Sequence, residues 1–256
     1  EADCYQSFTL TNQTIADYQT KILGDVLLTP MAASAPSSLT ETNITSVSAT
    51  LNWEDLNVTS YDIQYRVNGI NPWVSSSSST NSLAISGLTV NTTYEYQVKS
   101  VCGATSSSYS SSKTFTTLAA NYCASSGTTV SSIGITLVSF NTINNADLTK
   151  DVGYEDFTNI STDVNTGDLY PITINLNTTN GNKTVHALVW IDFNGNGDFT
   201  DSGEQFDLGS VTKNTNLATD LSPLSITIPL TANIGATRMR ISAKYNSIPT
   251  SCETGF

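Results

Sequence analysis

The chain has 256 residues, with 22 acidic and 10 basic side chains, so its formal net charge is −12. Ten scattered cations do not make the basic stripe of a nucleic-acid-binding protein, and the acidic balance disfavours adsorption to an anionic membrane. The single histidine, His186, excludes multi-histidine metal sites and argues against a histidine-based catalytic triad. No apolar run approaches the roughly 18 residues of a membrane span. We therefore expect a binding or structural protein that has no membrane insertion and no nucleic-acid partner.

The polar composition is not that of a disordered chain. Although there are 34 serines and 39 threonines, 11 tyrosines, 8 phenylalanines and 3 tryptophans are spread along the sequence. Valine, isoleucine, threonine and tyrosine recur in short alternating runs, which suit half-buried strands. The pattern predicts an all-β fold of two consecutive β-sandwich domains after a short N-terminal segment.

Residues 1–33 are interpreted as an N-terminal segment and linker, or as the end of an upstream domain. They contain a strand-like run at Tyr5–Leu10, and an ambiguous stretch at Ile15–Leu28 has a helix-like period that a glycine interrupts. A small-residue linker follows at Thr29–Ala35. Because the chain begins without methionine, we interpret it as a mature product or a fragment of a longer secreted protein.

Residues 34–118 are predicted to form short strands separated by turns, as in an immunoglobulin-like sandwich. Composition predicts that Ser75–Ser79 is a flexible loop. The predicted strands are Ser46–Trp53, Tyr61–Val67, Trp73–Val74, Ser82–Ser86, Thr93–Val101 and Thr114–Leu118.

This section resembles a fibronectin type III domain. The matching stretches are SATLNW at 48–53, YDIQYRV at 61–67, GLTVNTTYEYQVKSV at 87–101 and KTFTTL at 113–118. The resemblance implies that Trp53 packs between two sheets and that Tyr94, six residues after Leu88, forms a tyrosine corner. It also implies a spacer role more than a specific ligand site.

Residues 121–256 carry longer predicted strands. Both faces of Lys183–Phe193 are apolar, which predicts a central strand between covered surfaces with His186 partly buried. The predicted strands are Ile133–Phe140, Leu169–Leu176, Lys183–Phe193, Ser225–Pro229 and Thr237–Tyr245.

This last section resembles the GEVED domain of secreted Bacteroidota proteins. The matching stretches are NYC at 121–123, YEDFTNI at 154–160, VWIDFNGNGDFTDSGEQF at 189–206, ATRMRIS at 236–242 and SCETGF at 251–256. The resemblance implies an ancillary module of a secreted peptidase or adhesin, carried by the type IX secretion machinery. The motif that names the family should follow Phe256, so we expect the domain to be incomplete at its C-terminus.

Four widely spaced cysteines in an all-β chain fit an oxidising, extracellular setting, although four buried free thiols are the alternative. There is no CxxC motif for a zinc or thioredoxin-type site. Cys123 and Cys252 bracket the last domain, and the GEVED resemblance implies that they form a disulfide. Cys4 and Cys102 are then left as the second pair.

The densest group of oxygen donors lies in the segment 192–204, DFNGNGDFTDSGE. Carboxylates and amides alternate there, and the two glycines after Phe193 permit the backbone to wrap around one centre. Oxygen-only ligands favour Ca²⁺, although Glu204 is one position late for an EF-hand and a strand precedes the loop. The alternative is a plain Asn/Gly/Asp hairpin turn. The predicted calcium ligands are Asp192, Asn194, Asn196, Asp198, Asp201 and Glu204.

Three neighbouring residues have simpler interpretations. Asp156 either caps a turn or reaches the metal loop, and we favour the turn. Arg238 and Arg240 alternate with apolar residues on a strand, so we expect them to face solvent or to pair with the acidic surplus.

The sequence therefore predicts a non-catalytic, secreted or cell-surface segment of a larger protein with a calcium-stabilised sandwich. Its expected use is adhesion or attachment to an extracellular polysaccharide or protein surface. The alternatives are the ancillary C-terminal region of a secreted peptidase and a cargo of the type IX secretion machinery.

Overall fold

The computed structural model describes residues 33–128, 133–148, 153–178 and 183–256. These residues form sixteen strands and no helix, which confirms the predicted all-β class. No helix that could span a membrane occurs in this part of the chain. The chain divides into two compact units: the first ends at Leu118, and the second, Ala119–Phe256, also includes Gly87–Val90. The predictions for Tyr5–Leu10 and Ile15–Leu28 lie outside the described residues.

The first unit consists of two antiparallel sheets. The three-stranded sheet has the order β1 (Thr40–Thr42), β2 (Ser48–Asn52), β5 (Ser82–Ser86). The other has the order β4 (Val74–Ser78), β3 (Ser60–Val67), β6 (Thr93–Cys102), β7 (Thr105–Ser106), and β8 (Lys113–Thr116) also pairs with β6.

Aromatic side chains fill the space between these two sheets. Trp53, directly after β2, is buried and meets Tyr61 of β3 edge-to-face at 5.3 Å between ring centroids. This contact confirms that Trp53 packs between the sheets. Tyr94 is buried and stacks on Phe115 at 5.7 Å, while the hydrogen bond of the tyrosine corner stays a prediction.

The prediction that Ser75–Ser79 is a loop is wrong, because β4 pairs with β3 from Tyr61↔Ser78 to Tyr65↔Val74. Composition reflects only the intrinsic preference of serine for loops. In the folded chain, the backbone N–H and C=O groups of these serines pair with those of β3. Serines also line β6, where the Ser110 hydroxyl accepts a hydrogen bond from the Val98 N–H at 3.1 Å. The serine-rich stretch 107–112 forms no strand, so serine content alone does not distinguish a strand from a loop in this domain.

The second unit also contains two antiparallel sheets. The larger has the order β10 (Ile143–Ala146), β9 (Ile133–Phe140), β11 (Leu169–Thr178), β14 (Leu217–Ala218), with β15 (Leu224–Thr227) beside β11. The smaller has the order β13 (Gln205–Thr212), β12 (Thr184–Ile191), β16 (Met239–Tyr245). The five predicted strands are present, and the sequence pattern missed β10, β13 and β14.

Strand β12 is the central strand of its sheet and is covered on both faces. Alternate residues from Val185 to Ile191 join the main core with β11. Leu188 and Trp190 point to the opposite side and pack with Phe199. The prediction of a doubly covered central strand is confirmed, and His186 is half-buried as expected.

The Cys123–Cys252 disulfide is present, with 5.4 Å between the Cα atoms and a sequence separation of 129. Cys102 is also disulfide-bonded, so the free-thiol alternative is wrong for these three cysteines. Cys4 lies outside the described residues, and its pairing with Cys102 stays a prediction.

We expect the double substitution Cys123→Ser, Cys252→Ser to lower the free energy of unfolding of the second unit by about 4–5 kcal/mol. The closed loop is long, and its removal returns conformational entropy to the unfolded chain. Denaturant unfolding of the variant checks the value. An unchanged unfolding midpoint would show that the cross-link contributes no stability.

Candidate metal centre

The segment predicted to bind calcium is the connection between β12 and β13. Strand β12 ends at Ile191, and the next residue, Asp192, is fully buried. The Ile191 N–H donates to the Glu204 carbonyl at 2.9 Å, which closes the base of the loop one residue before β13 begins. The central strand therefore holds the loop in a defined position.

Asp192 organises this loop through both carboxylate oxygens. Its Oδ1 accepts hydrogen bonds from the N–H groups of Gly195 at 2.7 Å and Asn196 at 3.2 Å. Its Oδ2 accepts from the Gly197 N–H at 2.9 Å and from the Tyr122 hydroxyl at 2.8 Å. A buried charge is tolerated only with such partners, so Asp192 ties three consecutive backbone N–H groups to the end of β12.

Glycine is required where the loop passes under the segment 121–123. Gly195 and Gly197 have φ values of +72° and +88°, which L side chains rarely adopt. A Cβ atom on Gly197 would lie 2.8 Å from the Asn121 backbone nitrogen. The predicted role of these glycines in wrapping the loop agrees with this geometry.

Tyr122 covers the loop, and sequence reasoning did not single it out as part of the site. Its ring stacks on Phe199 at 5.1 Å, and the Arg238 guanidinium lies 4.5 Å from its ring centroid on a cation–π contact. Burial, followed by the hydrogen bond to Asp192, raises the pKa of Tyr122 to about 12. The only sequence indication was its place in the NYC stretch.

The two asparagines of the loop converge on Asp201. The Nδ2 atoms of Asn194 and Asn196 donate to Asp201 Oδ2 at 2.8 and 2.6 Å. Asp198 lies instead at the exposed tip, where its carboxylate accepts from the N–H and hydroxyl of Thr200 at 2.9 and 3.0 Å. These bonds to Thr200 lower the pKa of Asp198.

Glu204 has one carboxylate oxygen that no protein group satisfies. Its Oε1 accepts from the N–H groups of Phe193 at 2.9 Å and Asn194 at 3.3 Å. Its Oε2 is buried without a hydrogen-bond partner, and the whole residue is 3% exposed. Burial first, and then the negative charges of Asp192 and Asp201, raise the pKa of Glu204 to about 7, against the effect of the two N–H groups.

The structure thus brings five of the six predicted ligands into one hydrogen-bonded network and leaves Asp198 at its edge. In the described ranges, no three His, Cys, Asp or Glu side chains are arranged as a metal-binding group, so amide oxygens would have to complete any coordination shell. The bonds of Asp192 and Asp198 to backbone N–H groups are also those of a plain turn. Calcium therefore stays a prediction, and the partnerless oxygen of Glu204 is the feature that a plain turn leaves unexplained.

Arg240 differs from the expectation that it faces solvent or pairs with acids, whereas Arg238 is close enough to Asp156 for its charge to act on that carboxylate. Arg240 is half-buried, and its Nη2 donates to the Cys123 carbonyl at 2.7 Å, while its guanidinium lies 4.9 Å from the Phe199 ring. Two carbonyl groups and the Phe199 ring bind Arg240, and the Tyr122 ring binds Arg238. Asp156 caps a turn, accepting the Thr158 N–H at 2.9 Å, as expected.

Comparison with known families places two domains on the chain. Residues 34–117 match the fibronectin type III domain model, and residues 186–256 match the GEVED domain model. The order of the two domains is the predicted one, and the loop 192–204 lies within the second match. Both are non-catalytic module types, and fibronectin type III domains are typically extracellular, which agrees with the disulfide.

Three of the solved structures to which the chain is similar each cover about a third of it. A structure described as a myokine is 22% identical over 34% of this chain and 99% of that chain, with a TM-score of 0.32. The FN5 domain of Drosophila Lar is 19% identical over 34% and 98%, with a TM-score of 0.30. An FN3 domain of human collagen XX is 22% identical over 33% and 91%, also with a TM-score of 0.30. No curated protein sequence matches the chain.

The raised pKa of Glu204 predicts a pH dependence of stability in calcium-free buffer. The folded protein binds the carboxyl proton of Glu204 more tightly than the unfolded chain does. Protonated Glu204 therefore stabilises the fold fully below about pH 4.5, and this stabilisation is lost as the pH rises to about 7. The difference in unfolding free energy between wild type and Glu204→Gln should change by roughly 2–3 kcal/mol across this interval. Urea unfolding at a series of pH values measures it.

Asp163→Asn is the matched control for this measurement, because Asp163 is an exposed carboxylate of the same unit. Because Asp163→Asn leaves Glu204 and its neighbours unchanged, its difference from Glu204→Gln should change with pH as that of the wild type does. A wild type that gains stability relative to Glu204→Gln as the pH rises would contradict the prediction.

Proposed function

We propose that this chain is a non-catalytic, secreted or surface-displayed segment of a larger protein, and that Ca²⁺ bound in the loop 192–204 stabilises its second domain. The non-catalytic types of the two matched domains support the first part. The Cys123–Cys252 disulfide supports an oxidising compartment.

The observation that carries the calcium proposal is the buried, partnerless Oε2 of Glu204. A buried carboxylate oxygen costs free energy unless it is protonated or bound, and the charges of Asp192 and Asp201 add repulsion. A divalent cation removes both costs at once. Carboxylate and amide oxygens with no nearby thiolate or imidazole favour a hard cation.

The residues that would hold the ion have different roles. Glu204 and Asp201 would supply charged oxygens, and Asn194 and Asn196 would supply amide oxygens. Asp192 already accepts four hydrogen bonds, so it would orient the loop and add negative charge more than serve as a free ligand. Asp198 would reach the ion only by releasing Thr200.

The proposed use of the segment is adhesion, with the first domain as a spacer and the second presented to an extracellular polysaccharide or protein surface. Exposed apolar side chains on the irregular segment 153–168 support a surface role, with Tyr154 56% exposed and Phe157 40% exposed. The alternatives remain an ancillary region of a secreted peptidase and a type IX secretion cargo, in each case from a Bacteroidota protein. The N-terminal sequence of the intact precursor and a search of it for a zinc-peptidase HExxH motif distinguish the peptidase alternative.

Calcium should raise the melting temperature of the second domain and leave that of the first unchanged. At a hundredfold excess of free Ca²⁺ over Kd, the stabilisation is about 2.7 kcal/mol, and Mg²⁺ should substitute poorly for the larger ion. Calorimetry with calcium, magnesium and chelator measures it.

The conservative variants Glu204→Gln and Asp201→Asn should lose the calcium response, whereas Lys113→Gln on β8 of the first domain should keep it. These variants are preferable to Asp192→Ala, which would also remove the hydrogen bonds that hold the loop. Identical melting with calcium and with chelator would favour the plain turn.

The purified chain should show no hydrolase, lyase or transferase turnover, because its sequence contains one histidine and no nucleophile–base pair of recognisable spacing. Peptide and polysaccharide libraries with a product readout by mass spectrometry test this. Reproducible turnover that persists through independent purifications would remove the non-catalytic interpretation.

A further inference from the structure

The two sulfur atoms of the Cys123–Cys252 disulfide lie in different surroundings. Cys252 is exposed, whereas Cys123 is half-buried. The Nη1 of Arg240 donates a hydrogen bond to Cys123 Sγ at 3.3 Å. Cys252 Sγ lies 3.6 Å from the uncharged Ser251 hydroxyl. A disulfide with one sulfur beside a cation and the other in an exposed residue is chemically asymmetric.

Arg240 is fixed in place against Cys123 by several contacts. Its Nη2 donates to the Cys123 carbonyl at 2.7 Å, and its Nη1 also donates to the Ser251 carbonyl. Its guanidinium lies 4.9 Å from the Phe199 ring centroid. The positive charge therefore already lies beside Cys123 Sγ, and no side chain has to move when a negative charge develops on that sulfur.

A fixed cation stabilises a thiolate, and the sulfur that is the better thiolate is the better leaving group in thiol–disulfide exchange. Attack is also easier at the more accessible sulfur. Both effects select the same direction of cleavage, with the incoming thiol bonded to Cys252 and the electrons of the broken bond on Cys123.

We propose that Cys252 is a site of thiol–disulfide exchange for a low-molecular-weight thiol. The thiolate of that molecule attacks Cys252 Sγ and forms a new sulfur–sulfur bond. The Cys252–Cys123 bond breaks, and Cys123 leaves with the electron pair as a thiolate beside the Arg240 guanidinium. No outside oxidant or reductant is needed, because one disulfide replaces another, and attack by the Cys123 thiolate on the mixed disulfide restores the original bond.

The experiment uses the whole folded chain with millimolar cysteamine, followed by an acid quench, alkylation of free thiols and peptide mapping by mass spectrometry. We expect cysteamine on Cys252 and the alkyl group on Cys123, in about tenfold excess over the reverse arrangement. An even distribution, an adduct mainly on Cys123, or exchange only above the denaturation midpoint would overturn the proposal.

The variant Arg240→Gln should lose the site preference and exchange about tenfold more slowly. Lys213→Gln removes an exposed cation of the same unit away from the disulfide and should retain the preference, which makes it the matched control. If Arg240→Gln does not fold, the distribution of adducts in wild type and Lys213→Gln still decides the question. Retained preference in a folded Arg240→Gln variant would exclude the guanidinium as its cause.

Discussion

A negative charge buried at the end of the central strand is the constraint on which the second domain depends. Asp192 has no contact with solvent, so its two oxygens must be satisfied by the protein. Three backbone N–H groups of the following loop and the Tyr122 hydroxyl do this. Hydrogen bonds to a charged group contribute about 1.5–3 kcal/mol each. The same carboxylate therefore shapes the loop, holds the segment 121–123 over it and sets the negative potential around Glu204.

Sequence periodicity was sufficient for the fold where side chains alternate between a core and solvent. Strand β11 begins where the pattern predicts, at Leu169, and from Ile172 to Thr178 its residues alternate between buried and half-buried. The pattern failed for β4, whose serines are in a strand through backbone pairing with β3 alone. It also failed for the short strand β14, which has only two residues. Pairing of distant strands is a tertiary property that local composition does not carry.

The candidate site was predictable in its chemistry and not in its arrangement. Oxygen donors at alternate positions between glycines indicated a wrapped loop, and five of them do lie in one network. Tyr122 was missed because it lies 70 residues before Asp192 in the chain. The exposed position of Asp198 and the partnerless oxygen of Glu204 depend on which N–H groups reach each carboxylate. Spacing along a sequence does not determine those distances.

The covalent link between Cys123 and Cys252 also determines what a protease can achieve. The segment 153–168 has no strand and exposes apolar side chains, which makes it a natural place for cleavage. It lies between the two cysteines, and a cut there would leave two fragments joined through sulfur and held by the sheets on either side. The nicked domain would remain a single particle in solution and would separate only after both unfolding and reduction. Such a domain would therefore keep its fold and its covalent continuity after the first broken peptide bond.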